Sequence, residues 1–157
     1  MRPGHAKPAR GGRPLDAHYR RLAADPEWVC QAKIDGWRAV FTRGVLRTRS
    51  GNVIEAPAVT SALPSHLTIE GEWYKPTGTF YAFDLPLHPG SYADRWAALV
   101  EALTPCDAVQ LIPHRVTWAD VEANGWEGVV FKWLPSRYPN AGVTASWMKY
   151  RAAWGVA

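Results

Sequence analysis

Apolar and polar residues alternate along much of the chain, a pattern that predicts half-buried β-strands. The first such run, 28–33, ends at Lys33. The next two, 38–42 and 45–49, are joined by Arg43 and Gly44 and predict a hairpin. Further strands are predicted at 67–73, 79–85, 108–112, 127–133 and 146–151.

Three helices are predicted, one before these strands and two between them. Apolar residues at helical spacing indicate a helix over 15–24. Two more helices open after Ser91 and Thr117, each of which is followed three residues later by an aspartate in a capping-box pattern. Because strands dominate without regular βαβ alternation, the predicted fold class is α+β, with antiparallel sheets flanked by short helices.

The length and composition fit a single globular domain over 15–157. The chain has 157 residues, of which 47% are apolar and 20% charged. Nine tryptophans are unusual, and we assign most of them to the core, with base stacking as the alternative. Two cysteines are too few for a disulfide framework or a four-cysteine zinc site, so a reducing cytoplasm is expected. No apolar run approaches the roughly 20 residues that span a membrane.

Positive charge is concentrated in two segments, although the net charge is only +4. Residues 1–14 are rich in proline, glycine and arginine and predict a flexible basic arm. Residues 36–54 contain four arginines and no acid. Such segments in a near-neutral body favour a polyanionic partner such as DNA. The basic residues that we expect to contact DNA are Arg2, Lys7, Arg10 and Arg13 in the arm and Arg43, Arg47 and Arg49 around the hairpin.

The strongest candidate for chemistry is the stretch Lys33-Ile34-Asp35-Gly36-Trp37-Arg38. A lysine is a poor nucleophile at its ordinary pKa of about 10.4, so it needs cationic neighbours, a metal or a dry pocket. Glycine allows the backbone to approach a ligand, and arginine grips phosphate. A charged strand followed by a tight turn explains these six residues equally well, so the motif alone decides nothing.

Four more clusters follow in the chain. Each of them taken alone is typical of a solvent-facing strand. Glu and Lys at alternate positions of a strand share one face, and two acids on one face are costly unless they are exposed or paired with a cation. The clusters are Glu70-Gly71-Glu72, Phe80-Tyr81-Ala82-Phe83-Asp84, Glu127-Gly128-Val129-Val130-Phe131-Lys132 and Trp147-Met148-Lys149-Tyr150-Arg151.

In this order the five clusters closely resemble the motifs of the ATP-dependent DNA ligases. That family belongs to the covalent nucleotidyltransferase superfamily, together with RNA ligases and mRNA capping enzymes. The segment Thr48-Arg49-Ser50-Gly51-Asn52 adds to the likeness, and Trp147 favours a DNA ligase over a capping enzyme. The resemblance covers residues 14–151 and implies the nucleotidyltransferase, or adenylation, domain of a ligase.

The resemblance implies a reaction in three transfers. Lys33 would attack the α-phosphate of ATP and expel pyrophosphate, forming lysyl-AMP. The adenylate would pass to the 5′-phosphate of nicked double-stranded DNA, and the 3′-hydroxyl would then displace AMP. RNA ligation or capping, the adenylation subunit of a split ligase, and a non-catalytic nucleic-acid binder remain as alternatives.

The resemblance also implies roles for single residues. Lys149 and Arg151 would join Lys33 in catalysis, by neutralising phosphates and lowering the pKa of Lys33. Magnesium or manganese would be held by Glu72 and Glu127, with contact to the ribose as another role for Glu72. Phe83 would stack on adenine or simply fill the core. The residues expected to bind the nucleotide are Gln31, Lys33, Arg38, Arg49, Glu72, Phe83, Lys132 and Lys149.

The sequence departs from the ligase pattern in three respects. Glu70 stands where aspartate is usual, and Arg151 stands where lysine is usual. Only six residues follow Arg151, too few for the five-stranded OB-fold domain that usually comes next, so no OB-fold domain is expected. We therefore expect a minimal, monomeric bacterial or viral ligase, with no membrane association, or one that uses a separate clamp or OB-fold partner.

Overall fold

A computed structural model describes residues 4–8, 15–139 and 142–152. The chain divides into two compact units. The terminal unit contains residues 1–35 and 113–157, and the central unit is Gly36–Ile112. In chain order the elements are β1 (Gly4–Pro8), α1 (Ala17–Ala24), β2 (Trp28–Lys33), β3 (Trp37–Thr42), β4 (Val45–Thr48), α2 (Pro57–Thr60), β5 (Ile69–Tyr74), β6 (Thr79–Asp84), α3 (Tyr92–Ala102), β7 (Val109–Leu111), α4 (Trp118–Asn124), β8 (Gly128–Trp133) and β9 (Gly142–Arg151).

The prediction of an α+β fold with antiparallel sheets and short helices is confirmed. All of the predicted strands and helices are present, with shifts of a few residues at their ends. Both capping boxes form: Ser91 caps α3 and Thr117 caps α4, which ends at Gly125 in the left-handed conformation. The helix predicted from residue 15 begins at Ala17, because the Asp16 side chain accepts the hydrogen bond of the cap.

The terminal unit is built on a four-stranded sheet in the order β1-β9-β8-β2. Pairing is antiparallel between β2 and β8 and between β8 and β9, and parallel between β1 and β9. Helices α1 and α4 contribute to the core on one face of this sheet. Its buried residues include Tyr19, Leu22, Trp118, Val121, Val129, Phe131 and Tyr150.

Strand β1 lies inside the segment for which the composition predicts a flexible arm. Its pairing with β9 uses backbone groups of an otherwise unpaired sheet edge and needs no apolar side chain, so composition gives no signal for it. Lys7 belongs to this strand. Arg2, Arg10 and Arg13 lie outside the described residues.

The central unit is built on a five-stranded sheet in the order β4-β3-β5-β6-β7. Its pairs are antiparallel, except that β7 runs parallel to β6. A register shift between Glu70 and Gly71 leaves Phe83 as an extra residue on β6. The core of this unit includes Phe41, Leu46, Ile69, Phe80 and Leu99. Among the residues that the structure describes, no helix is long and apolar enough to cross a membrane.

Candidate active site

The predicted cationic site residues of the terminal unit lie on one face of its sheet. Directly opposed residues of an antiparallel sheet point to the same side. Lys33, Gly128 and Arg151 are opposed across β2, β8 and β9, and so are Gln31, Val130 and Lys149. Lys132 is opposed to Trp147 in the same way, and its ammonium lies 4.2 Å from the centroid of that indole ring. The sheet therefore brings five predicted site residues of this unit onto one face: Gln31, Lys33, Lys132, Lys149 and Arg151.

Gly128 lies between Lys33 and Arg151 across the sheet, at a point where β8 and β9 approach each other closely. A Cβ atom added at Gly128 would stand 1.9 Å from the carbonyl oxygen of Tyr150 and 2.9 Å from the Cα of Arg151. Any side chain at this position would push β9 away from β8. Gly128 thus keeps β9, which carries Arg151, close to β8, which pairs with the Lys33 strand β2.

Glu127 bridges the two cations at the end of this face. Lys33 Nζ donates to Glu127 Oε2 over 2.8 Å, and Arg151 Nε lies 3.1 Å from Glu127 Oε1. The side chains of Lys33 and Glu127 are only 20% and 10% exposed, so water screens their attraction weakly. The backbone N–H of Ala152 donates to the Glu127 carbonyl, which anchors the acid to the end of β9.

Lys149 adds a third cation to this cluster. Its pKa is lowered, first by burial and then by the charges of Arg151 and Lys33, while the carboxylate of Glu127 opposes the shift. Three cations that share a single close carboxylate favour an anionic ligand. Phosphate oxygens meet that requirement.

No sequence motif marks His114 as a site residue, but its side chain contacts the predicted site residue Gln31. Its Nδ1 lies 3.1 Å from Gln31 Nε2. Burial lowers the pKa of His114 to about 4, and the charges of Arg115 and Lys132 add to the shift. The ring is therefore neutral near pH 7 and its Nδ1 accepts a hydrogen bond from the Gln31 amide. A solitary histidine belongs to no motif, so only the tertiary pairing of β2 with this loop reveals it.

The central unit gathers a second group of predicted residues on its own sheet. Arg38 Nε donates to Glu70 Oε1 over 2.7 Å, and a second guanidinium nitrogen of Arg38 donates to the same oxygen. Arg38 also lies over the ring of Phe83, 5.2 Å from the centroid. Glu72 is directly opposed to Arg38 on β5 and shares its face. The burial of Glu70 is thus compensated by a cation, as two acids on one strand face require.

Helix α3 fixes the end of the strand that presents Phe83. Tyr92 Oη donates to the Phe83 carbonyl oxygen over 3.1 Å. The fully buried Arg95 donates from Nε to Asp84 Oδ1 over 2.8 Å and also contacts the Gly90 carbonyl oxygen. These contacts hold β6 where its register shifts. Sequence reasoning misses Arg95 and Tyr92 as supports of the site, because helical periodicity marks them only as one face of α3.

The remaining predicted arginines of the central unit are exposed. Arg43 and Arg47 belong to the β3–β4 hairpin and Arg49 follows it, with its backbone N–H donating to the Arg38 carbonyl oxygen. Glu72, one of the two acids predicted to hold a metal, also lies in this unit, whereas Glu127 lies in the terminal unit. In the described ranges no group of three or more His, Cys, Asp or Glu side chains forms a ready metal site.

Comparison with solved structures supplies the deciding observation. A structure from a structure-function study of Lig E DNA ligases matches with a TM-score of 0.68 and 25% identity, covering 80% of this chain and 62% of that chain. A mycobacterial DNA ligase D complexed with ATP and MES matches with a TM-score of 0.57 and 26% identity, covering 79% of this chain and 54% of that chain. The fold is that of a DNA ligase nucleotidyltransferase domain.

A third structure extends the likeness along the chain. Chlorella virus DNA ligase-adenylate matches with a TM-score of 0.63 over 96% of this chain and 67% of that chain, at 16% identity. The chain spans less than two thirds of the length of the first two ligase structures. No protein-family model and no curated protein sequence matches it. The predicted resemblance to ATP-dependent DNA ligases is thus confirmed at the level of structure.

Proposed function

We propose that this chain is an ATP-dependent DNA ligase that acts through Lys33. The observation that carries the proposal is the cluster of Lys33, Lys149 and Arg151 on one sheet face, with the Glu127 carboxylate between two of these cations. A lysine nucleophile that must approach a polyphosphate needs such neighbours. Two of the structural neighbours described above, one of them complexed with ATP, are DNA ligases of at least 25% identity, which supports ATP and DNA as substrates.

The first step is transfer of AMP to the protein. Lys33 Nζ, deprotonated, attacks the α-phosphorus of ATP; a nitrogen–phosphorus bond forms, the bond to the bridging oxygen breaks, and pyrophosphate leaves. Lys149 and Arg151 neutralise the phosphates during this step. Gln31 and Lys132 contact the nucleotide from the same face of the terminal unit. The other residues that we propose to bind the nucleotide are Arg38, Arg49, Glu72 and Phe83.

The next two steps use DNA. An oxygen of the 5′-phosphate at the nick attacks the adenylate phosphorus and releases Lys33. The 3′-hydroxyl then attacks the 5′-phosphorus, AMP leaves, and the phosphodiester is sealed. Arg2, Lys7, Arg10 and Arg13 of the arm and Arg43, Arg47 and Arg49 of the hairpin region hold the duplex through its phosphates.

Magnesium or manganese fits the donor set at Glu127. Magnesium is usually held by one or two carboxylates together with substrate phosphates, so a dedicated cage of protein ligands is not required. Glu127 already binds two cationic groups through its two oxygens, which suits the same carboxylate to a metal cation. When bound, the metal supplies further neutralisation of the phosphates. Glu72 remains a second proposed ligand.

The proposal is tested by sealing of a labelled nick. The purified chain with ATP and magnesium is given a nicked DNA duplex, a nicked RNA duplex, and GTP in place of ATP. We expect the chain to seal nicked DNA with ATP, but not nicked RNA and not with GTP. Preference for nicked RNA or GTP would instead indicate an RNA ligase or a capping-type enzyme. Sealing that begins only after a second polypeptide is added would indicate a split ligase.

A further inference from the structure

The central unit has a surface pocket beside a half-exposed tryptophan. The side chain of Trp37 is 54% exposed, and its ring centroid lies 5.9 Å from Lys75 Nζ. The pocket has a volume of about 320 Å³, and Thr48, Asn52 and Trp73 also line it. This volume lies at the small end of the range of about 300–1,000 Å³ typical of ligand sites. Neither Trp37 nor Lys75 belongs to the proposed nucleotide site.

Backbone contacts fix the walls of this pocket. Trp37 is directly opposed to Trp73, which is buried and belongs to the core. A Cβ atom at Gly36 would stand 2.4 Å from the Trp73 carbonyl oxygen, so the chain enters β3 pressed against that backbone. On the other side, the turn between Thr48 and Asn52 is closed by reciprocal hydrogen bonds. The indole of Trp37 therefore lies on the same sheet face as Trp73, which fills the core beside it.

The surroundings of the pocket fit a nucleic acid. Lys75 and Glu55 line the pocket with one charge of each sign. Trp37, Thr48 and Asn52 of the lining belong to the acid-free stretch 36–54, which also carries the exposed Arg43, Arg47 and Arg49. An exposed indole beside a cation, as Trp37 is beside Lys75, is the combination that stacks a base and contacts its phosphate. A base inside an intact duplex has both faces covered by its neighbours, whereas a base at a strand interruption can expose one.

We propose that this pocket binds a nucleobase of the DNA substrate at the strand interruption. Trp37 stacks on the base, and Lys75 contacts the adjoining phosphate. The inference rests on the proposed function only for the identity of the DNA. It assigns a substrate contact distinct from the site of Lys33 adenylation.

The test measures binding of a nicked duplex without ATP or metal, so that no covalent step contributes. Stacking on an aromatic side chain accounts for about 1–3 kcal/mol per base, so Trp37→Leu is expected to weaken the affinity on the order of tenfold. Trp37→Phe, which keeps an aromatic face, is expected to stay within about threefold of wild type. Trp133→Leu removes another partly exposed tryptophan, in the terminal unit, and serves as the matched control with unchanged affinity. Thermal midpoints of all variants report whether the fold is kept.

Two further readouts do not depend on the Trp37 variants folding. Lys75→Gln should reduce the slope of log affinity against log salt concentration by about the amount that one phosphate contact contributes. 2-Aminopurine placed at the nick should be quenched on binding, and 2-aminopurine placed inside the duplex should not. Equal affinities of Trp37→Leu and wild type, or equal losses in the Leu and Phe variants, would overturn the proposal. Quenching at neither position would also overturn it and would leave a protein partner as the alternative occupant of the pocket. Failure of the proposed function would be seen separately, as absence of the Lys33 adduct.

Discussion

Lys33 Nζ donates a hydrogen bond to Glu127 Oε2 over 2.8 Å, so the proposed nucleophile rests against a carboxylate. The same carboxylate lies 3.1 Å from Arg151 through its other oxygen. Lysine and acid come from positions 94 residues apart in the chain and are joined by pairing of β2 with β8. In the proposed reaction Glu127 positions Lys33 before the nucleotide arrives, and this contact is released when Lys33 attacks.

Glu127→Gln keeps the size of the side chain but removes its charge. We expect formation of the protein–AMP adduct to slow by about 10–100-fold, because Lys33 loses its positioning partner and the proposed metal site loses a carboxylate. Single-turnover labelling with ATP over a magnesium titration measures this loss. Glu122→Gln, on the exposed side of α4, is the matched control and should react at the wild-type rate. A wild-type rate in Glu127→Gln would contradict the assignment.

The ion pair between Arg38 and Glu70 makes a prediction about stability. Glu70→Gln removes the carboxylate that two nitrogens of the largely buried guanidinium contact, so the free energy of unfolding should fall by about 3 kcal/mol. Replacing both partners by apolar residues, Arg38→Met with Glu70→Leu, should recover part of this loss. Urea unfolding of Arg38→Met, Glu70→Leu and the double variant measures the coupling. Additive losses would show that the pair does not act as a unit.

His114 predicts a pH dependence of stability. Its pKa is about 4 in the folded protein, below the ordinary value of about 6.5, so the unfolded chain takes up a proton first as the pH falls. The contribution is fully present above pH 6.5 or so and is lost as the pH falls toward about 4. After allowance for partial exposure we expect a loss of about 2 kcal/mol. His114→Asn should remove this component from unfolding curves measured at several pH values; an unchanged pH profile in that variant would contradict it.

We expect the basic arm to influence the salt dependence of DNA binding without affecting the adenylation of Lys33. Replacing Arg2, Lys7, Arg10 and Arg13 by glutamine keeps the chain length and the backbone pairing of β1 with β9. Affinity for a nicked duplex should fall, and its salt dependence should flatten by about 0.9 for each DNA phosphate that the arm no longer neutralises. Adenylation of Lys33 without DNA should be unchanged. Unaltered salt dependence would remove the arm from the DNA-binding surface.

Much of the fold follows from local pattern. Strand β2 has the bounds that alternation predicts, and the hairpin of β3 and β4 turns at Arg43 and Gly44 as expected. The caps of α3 and α4 are local hydrogen-bond patterns, which the sequence displays directly. Strand β1 and the single turn of α2 escape prediction, since one depends on pairing with a distant strand and the other is four residues long.

Some residues of the candidate site are predictable from the sequence, and others are revealed only by the folded structure. Motif order singles out Lys33, Glu127, Lys149 and Arg151 as candidates. Sheet register brings the three cations onto one face, and Glu127, just before β8, reaches Lys33 and Arg151 through its side chain. Tertiary packing alone reveals that His114 contacts Gln31. Glu70 lies between these cases, since its burial demands a cation but the sequence does not say that Arg38 supplies it.

Mapping the adenylated residue tests the central claim most directly. The purified chain is incubated with magnesium and α-labelled ATP, digested, and analysed by peptide mass spectrometry. We predict one acid-labile AMP on the peptide that contains Lys33. We also predict no adduct in Lys33→Arg, which keeps the charge beside Glu127 but lacks a usable nucleophile. An adduct on another residue, or an undiminished adduct in Lys33→Arg, would contradict the account.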